Sequence, residues 1–191
     1  MTNTLNTWSP DLYSKAWDLA TLAHEGQSYG GRIEGMQINY LNHIGSVAME
    51  VVWGLQNSTT SYDANLAIQC AILHDVIVDT KINYQEILSM FGKYVADGVL
   101  ALSKNTKIPS KEEQMKDSLT RIKQQPAEIR MVKMADRITN LYHPPFYWKN
   151  EKIISYRKEA MLIHEELKSA NVIIADRLLN KINEYKFLIK S

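Results

Sequence analysis

Ala67-Ile68-Gln69-Cys70-Ala71-Ile72-Leu73-His74-Asp75-Val76-Ile77-Val78-Asp79 is the stretch on which the fold turns. Its first seven residues are apolar on most sides of a helix, and a helix that is hydrophobic nearly all round sits at the centre of a bundle. The pattern predicts a buried helix over about Asp63 to Val78. Such a helix that delivers an adjacent imidazole and carboxylate sets a physical problem. A buried, unpaired carboxylate is costly, so Asp75 needs a cation, a proton or strong donors. A divalent ion at His74-Asp75 answers that need, and so does a His–Asp hydrogen-bonded pair stitching two helices.

The rest of the chain also reads as helix. Ser9-Pro10-Asp11 supplies an N-cap, a proline at the first helical position and an acid in the first turn. Gly26 to Met36 holds four of the eight glycines and reads as a loop. A helix follows over about Asn42 to Leu55, with Ile44, Val47, Ala48, Val51, Val52 and Leu55 on its inner face. Beyond the central stretch, Tyr84 to Phe91 is closed by Gly92, and Lys93 to Ser103 is helical again. Ser110-Lys111-Glu112-Glu113 matches a capping box and opens a helix to about Gln125. Pro126 starts the next, which carries Asp136 and Asn140 and must stop before Pro144-Pro145. Glu151 to Leu167 and Ala170 to Leu188 complete the set. No run alternates as a strand does, and no repeat or low-complexity linker interrupts the chain. The expectation is one all-α domain over 1–191, with about eight or nine helices.

Composition narrows the function. The 191 residues are 45% hydrophobic and 23% charged, and 22 Lys plus Arg against 21 Asp plus Glu leave a formal charge of +1. That balance excludes a broadly basic nucleic-acid binder and an acidic disordered tail, while leaving room for a local basic pocket. A single cysteine, Cys70, excludes an internal disulfide framework and a Cys-rich zinc module, and suits a reducing compartment. Met1-Thr2-Asn3-Thr4-Leu5 has neither a basic nor an apolar leader region, and Ala64 to Leu73 falls far short of the ~20 residues of a membrane span. A cytoplasmic protein is expected, with no membrane or nucleic-acid partner; oligomeric state is not readable.

Each of the five histidines, His24, His43, His74, His143 and His164, reads singly as a packed or surface residue. Two further segments change that for some of them. Met131-Val132-Lys133-Met134-Ala135-Asp136-Arg137 is a second apolar helix with an acid set into it, which a surface pairing with Lys133 or Arg137 would also explain. His43 opens a third helix beside Tyr40-Leu41-Asn42. Three helices can thus bring two imidazoles and two carboxylates to one point. Mixed nitrogen and oxygen donors without thiolate disfavour a structural zinc and favour Mn²⁺, Fe²⁺, Mg²⁺ or a catalytic zinc.

At this point the chain resembles the HD-domain metal-dependent phosphohydrolases, and within them the RelA/SpoT-type (p)ppGpp hydrolases and the small alarmone hydrolases. The resemblance rests on Ala23-His24-Glu25-Gly26-Gln27, Tyr40-Leu41-Asn42-His43, Ala71 to Thr80, Phe91-Gly92 and Val132 to Leu141, in the family's order and over about residues 12–165. It implies that His43, His74, Asp75 and Asp136 hold one divalent ion, usually Mn²⁺, and that pyrophosphate is removed from the 3′ position of a guanosine polyphosphate. It also implies that Asn140 lies by the nucleotide and that Tyr40 lines the cleft. Lys104, Lys133 and Arg137 are candidates to offset phosphate charge, a solvent-facing position being the alternative for each.

Two departures from the family stand out. Where the family has Glu-Asp after the metal-binding pair, this chain has Val78-Asp79, which leaves Asp79 as the remaining acid–base group. Gln27-Ser28-Tyr29-Gly30-Gly31-Arg32 replaces the usual basic pair after Gln and is longer. Alternatives are therefore another HD nucleotide phosphohydrolase, acting on an adenosine alarmone or NADPH, or a nucleotide binder that keeps the metal cage without turnover. His24 is expected to play a supporting part, His143 and His164 none, and Phe146-Tyr147-Trp148 to pack in the core, cap the pocket or form an interface.

Overall fold

The computed structural model describes residues 5–189; Met1 to Thr4, where no leader is expected, and Lys190-Ser191 lie outside the described residues. Ser9 caps α1 (Pro10–Ala23), its side chain accepting from the Leu12 N–H at 3.4 Å. The expected loop contains a small antiparallel ribbon, β1 (Ser28–Gly30) against β2 (Gln37–Asn39), with Tyr29 opposite Ile38. Three residues a side are too few to show alternation, and Gly35 at φ +79° makes the turn between them. Asn39 caps α2 (Tyr40–Gln56) through the Leu41 N–H at 2.9 Å, so this helix starts two residues earlier than its apolar face indicates.

The central helix is α3 (Ala64–Leu73), buried along almost all of its length. It does not run on to Val78. The His74 ring nitrogen Nδ1 takes the Ala71 carbonyl at 2.8 Å, the acceptor that a continuing helix would give to the Asp75 N–H. The chain kinks at Asp75 and restarts as the single turn α4 (Val76–Asp79). This break raises the expected eight or nine helices to ten among the described residues. The others are α5 (Tyr84–Phe91), α6 (Lys93–Leu102), α7 (Lys111–Lys123), α8 (Ala127–Asn140), α9 (Asn150–Leu167) and α10 (Val172–Tyr185). Gly92, at φ +81°, closes α5 and opens α6 in one residue. The reciprocal capping box is made by Asn83 and Glu86; at Ser110 only the forward bond to the Glu113 N–H forms, at 3.4 Å.

α1, α2, α6 and α8 pack around α3, and the fully buried Ile44, Ile72, Leu73, Val132 and Ile138 join them in one apolar cluster. Ile72→Ala in that cluster is expected to cost about 2–5 kcal/mol. In a chain of this length that lowers Tm by roughly 5–15 °C, checked by calorimetry.

Candidate metal centre and active-site cleft

Four side chains converge where α2, the α3–α4 break and α8 meet. His43 Nε2 lies 3.2 Å from His74 Nε2 and 3.5 Å from Asp136 Oδ1. His74 Nε2 lies 4.0 Å from Asp136 Oδ1 and 3.0 Å from Asp75 Oδ2, which is 3.8 Å from His43 Nε2. The donor atoms of His43, His74 and Asp136 all fall within 4.8 Å of one another, and Asp75 stands at the edge of that group.

The bonding fixes what these atoms present. His74 Nδ1 donates to the Ala71 carbonyl. His43 Nδ1 meets Thr139 Oγ1 at 3.2 Å, and because that hydroxyl donates to the Asp136 carbonyl at 2.9 Å, it can only accept from His43. Both rings thus place an N–H on Nδ1 and turn Nε2 toward each other and toward two carboxylates, so that loss of the Nε2 proton from His74 frees two nitrogen donors. Second-sphere bonds of this kind commonly hold a metal-ligating histidine in its binding tautomer. Two Nε2 atoms at 3.2 Å need a positive charge beside them, a proton on His74 or a divalent ion, and the mixed nitrogen and oxygen donor set fits the ion.

The electrostatics agree. Burial pulls the His74 imidazole down, but Asp75 and Asp136 outweigh it and push its pKa up to about 9. Burial and the neighbouring His74 charge hold His43 below its ordinary value. Burial would raise Asp75 and Asp136, yet His74 for the first and Lys133 for the second keep both well below the usual carboxylate range. A positive charge is favoured at this point.

The carboxylates are also oriented. Lys133 Nζ holds Asp136 Oδ2 at 2.9 Å, and Asn140 Nδ2 holds Oδ1 at 2.6 Å. Asn140 gives its amide to Asp136, side chain and main chain, which leaves its Oδ1 as an acceptor beside the centre. Tyr40 donates to Asp75 Oδ2 at 2.5 Å with Asp79 Oδ2 3.2 Å away, and burial followed by these acids raises its pKa. Partial burial and then the Asp75 charge raise Asp79. His24 stacks on Tyr40 at 4.8 Å and bonds Gln27, whose amide in turn holds the Asp79 carbonyl at 2.8 Å. His24 thus supports the site without joining the metal-facing group.

The centre opens into a cleft of about 920 Å³. Arg32, Lys104, Lys111, Lys133, Arg137 and Lys152 line it, against Asp75, Asp79, Asp136 and Glu159. Six cations facing four carboxylates make a cleft for a polyanion. Lys104 is exposed as a residue and lines the cleft, where desolvation and then Lys133 hold its ammonium below the usual lysine value. Lys133 and Arg137 are not on a solvated face: they are 6% and 3% exposed. Arg137 stacks its guanidinium 3.9 Å from the Tyr156 ring, reaches Glu159 at 3.4 Å, and buries Nε and Nη1 without a protein partner.

Other placements differ from expectation. Trp148 packs against the core and edge-on to Tyr156 at 5.0 Å while also lining the cleft, whereas Phe146 and Tyr147 are exposed, so the core reading holds for Trp148 alone. His143 sits at the cleft rim; His164 is buried on α9 beside Glu165. Tyr156, Lys152 and Thr139 were missed as site residues; only Thr139, three residues beyond Asp136 on one helix, carried a spacing signal.

A helical domain with two buried histidines and two half-buried aspartates at such a centre defines a class, and comparison places the chain in it: the HD domain family matches residues 16–178, and the chain belongs to that family. Among curated proteins, the chain is 28% identical over 115 residues to guanosine-3′,5′-bis(diphosphate) 3′-pyrophosphohydrolase MESH1 of Danio rerio, covering 58% of this chain and 63% of that protein. It is 35% identical over 132 residues to the bifunctional (p)ppGpp synthase/hydrolase SpoT of Escherichia coli K12, covering 66% of this chain and 17% of SpoT. The chain therefore spans less than two thirds of the length of both relatives. A solved metazoan SpoT ortholog, described as hydrolysing ppGpp, shares the fold with a TM-score of 0.78 at 20% identity, over 96% of this chain and 99% of that one. Among the described residues no helix is long and apolar enough to cross a membrane.

Proposed function

We propose that the chain, read as one unit over 1–191, is a metal-dependent phosphohydrolase of the guanosine-3′,5′-bis(diphosphate) 3′-pyrophosphohydrolase type. Its ligands are His43, His74, Asp75 and Asp136, and its ion is Mn²⁺. The observation that carries this reading is the pair of facing Nε2 atoms beside Asp75 and Asp136, at the head of a cleft lined by six cations. The names of the relatives support the substrate. When bound, the ion supplies Lewis acidity and an acidified water. The protein does the rest. Asp79, its carboxyl raised and beside Tyr40, accepts the proton of the attacking water. Arg137, Lys104 and Lys133 take the phosphate charge, and the free Oδ1 of Asn140 meets the nucleoside. The test is turnover of guanosine tetraphosphate with Mn²⁺, alongside calorimetric binding. Release of pyrophosphate supports the reading; neither binding nor turnover overturns it. Binding without turnover favours the second reading, a nucleotide binder, for which Val78 in the cleft wall is the supporting observation.

Arg137→Met is expected to raise KM about 10- to 100-fold with a smaller change in kcat. A hydrogen bond to a charged group contributes about 1.5–3 kcal/mol. Steady-state kinetics over a wide substrate range checks it.

A further inference from the structure

Two turns along α2 from His43, on the same face of the helix, a buried carboxylate is clamped by groups from two other elements. Glu50, on α2 and 7% exposed, accepts from Arg177 of α10 through both oxygens, by way of Nε and, at 2.6 Å, Nη2. The Tyr142 hydroxyl donates to Glu50 Oε1 at 3.0 Å and accepts from Arg177 Nη2 at 2.8 Å. Arg177 also lies 5.3 Å from the Trp53 ring, and Lys181 lies 4.7 Å from the Tyr142 ring. A bidentate arginine–carboxylate pair that also fixes a tyrosine hydroxyl is among the more rigid polar arrangements available to side chains.

What it fixes is the start of the cleft wall. Tyr142 follows the C-cap of α8, Leu141, and begins the segment 142–148, which sends His143, Pro145 and Trp148 to the cleft. Pro144-Pro145 stiffens that segment, so its course is set by the direction in which it leaves Tyr142. At its other end it is tied by the Phe146 N–H to the Gly31 carbonyl at 3.1 Å and by Trp148 on Tyr156. Asp136 is oriented separately, by Lys133 and Asn140.

We infer that Glu50 and Arg177 are positioning residues: through Tyr142 they hold the 142–148 wall in the course that closes the cleft on a nucleotide. The inference rests on the function proposed above. It sets substrate affinity and not metal occupancy.

The test uses the full chain loaded with Mn²⁺ and compares Glu50→Gln, Arg177→Met and Arg177→Lys with the unmodified protein. Amide exchange over 142–148 and calorimetric binding of guanosine tetraphosphate are both measured. Glu50→Gln and Arg177→Met are expected to speed exchange in 142–148 at least tenfold while α3 is unchanged. They should also weaken nucleotide binding about tenfold with full metal content, and Arg177→Lys should recover part of both effects. If either variant fails to fold, Tyr142→Phe, which removes one hydroxyl and keeps the ring, should show the same local exchange. Unchanged exchange in 142–148, an increase spread equally over α3, or unaltered nucleotide affinity overturns the inference. If the unmodified protein does not bind the nucleotide, the proposed function fails, and the exchange measurement still decides whether the clamp holds the wall.

Discussion

Asp136→Ala protein should emerge from purification without its divalent ion, and so should His74→Ala, whereas His164→Ala should keep a full complement. Asp136 Oδ1 faces both imidazole Nε2 atoms, at 3.5 and 4.0 Å, and no other carboxylate approaches from α8. Its removal takes away one of two anionic ligands and leaves His43, His74 and Asp75, and an ion low in the affinity order such as Mn²⁺ is expected to be lost from that weakened set during a desalting step. His74→Ala removes the imidazole that keeps Asp75 ionised, so the loss extends beyond one ligand. His164 lies on α9 against Glu165, away from the cleft lining. Asp136→Ala also strands Lys133, whose side chain is only 8% exposed, and breaking a buried pair typically costs about 3–5 kcal/mol. Asp136→Asn, which keeps the volume, separates the two effects: it should lose metal with a smaller drop in Tm. Elemental analysis of the purified variants decides the assignment, and full occupancy in folded Asp136→Ala would rule it out.

The same residues show how far a sequence can be read. The helix-ending His74-Asp75 and the acid inside Met131–Arg137 were legible because polar groups in apolar helices are costly and stand out against their surroundings. The helices themselves were legible from period and caps, since Ser9, Gly92 and Pro126 act locally. The break after Leu73 was not, because it depends on the His74 ring taking the Ala71 carbonyl, a bond that exists only once the ring is turned toward His43. The ribbon around Gly30–Gln37 was hidden by its three-residue strands. Lys133 and Arg137 are charged residues at helical spacing, and spacing alone does not distinguish a solvated face from one that borders a cleft. Tyr156 and Lys152 reach the cleft from α9 by tertiary packing, which no local pattern records.

Val78→Glu should raise turnover, by at least about tenfold, in a protein whose unmodified activity is low. Val78 lines the cleft on the single turn that follows Asp75, beside Asp79, and the resemblance to the (p)ppGpp hydrolases implies a glutamate there. A valine side chain neither accepts a proton nor hydrogen-bonds a water. General acid–base assistance is typically worth about 10² to 10⁴ in rate, and Asp79 supplies part of it alone. Its carboxyl is raised by partial burial and by Asp75, and Tyr40 lies 3.2 Å from Oδ2, so it is placed to exchange a proton with a water in the cleft. Adding a second carboxylate one residue away has an opposing effect, since it brings another negative charge toward Asp75 and the substrate's phosphates. Lys104, in the same cleft, offsets that charge, which is why the gain is set near tenfold and not at the upper end of the range. The measurement is kcat for guanosine tetraphosphate hydrolysis with Mn²⁺, compared across the unmodified protein, Val78→Glu, Asp79→Asn and the double variant. Asp79→Asn should reduce the unmodified rate about 10²-fold and Val78→Glu should restore part of it, because the two carboxylates serve the same water. Rapid turnover by the unmodified protein that Val78→Glu slows would place the acid–base group elsewhere in the cleft.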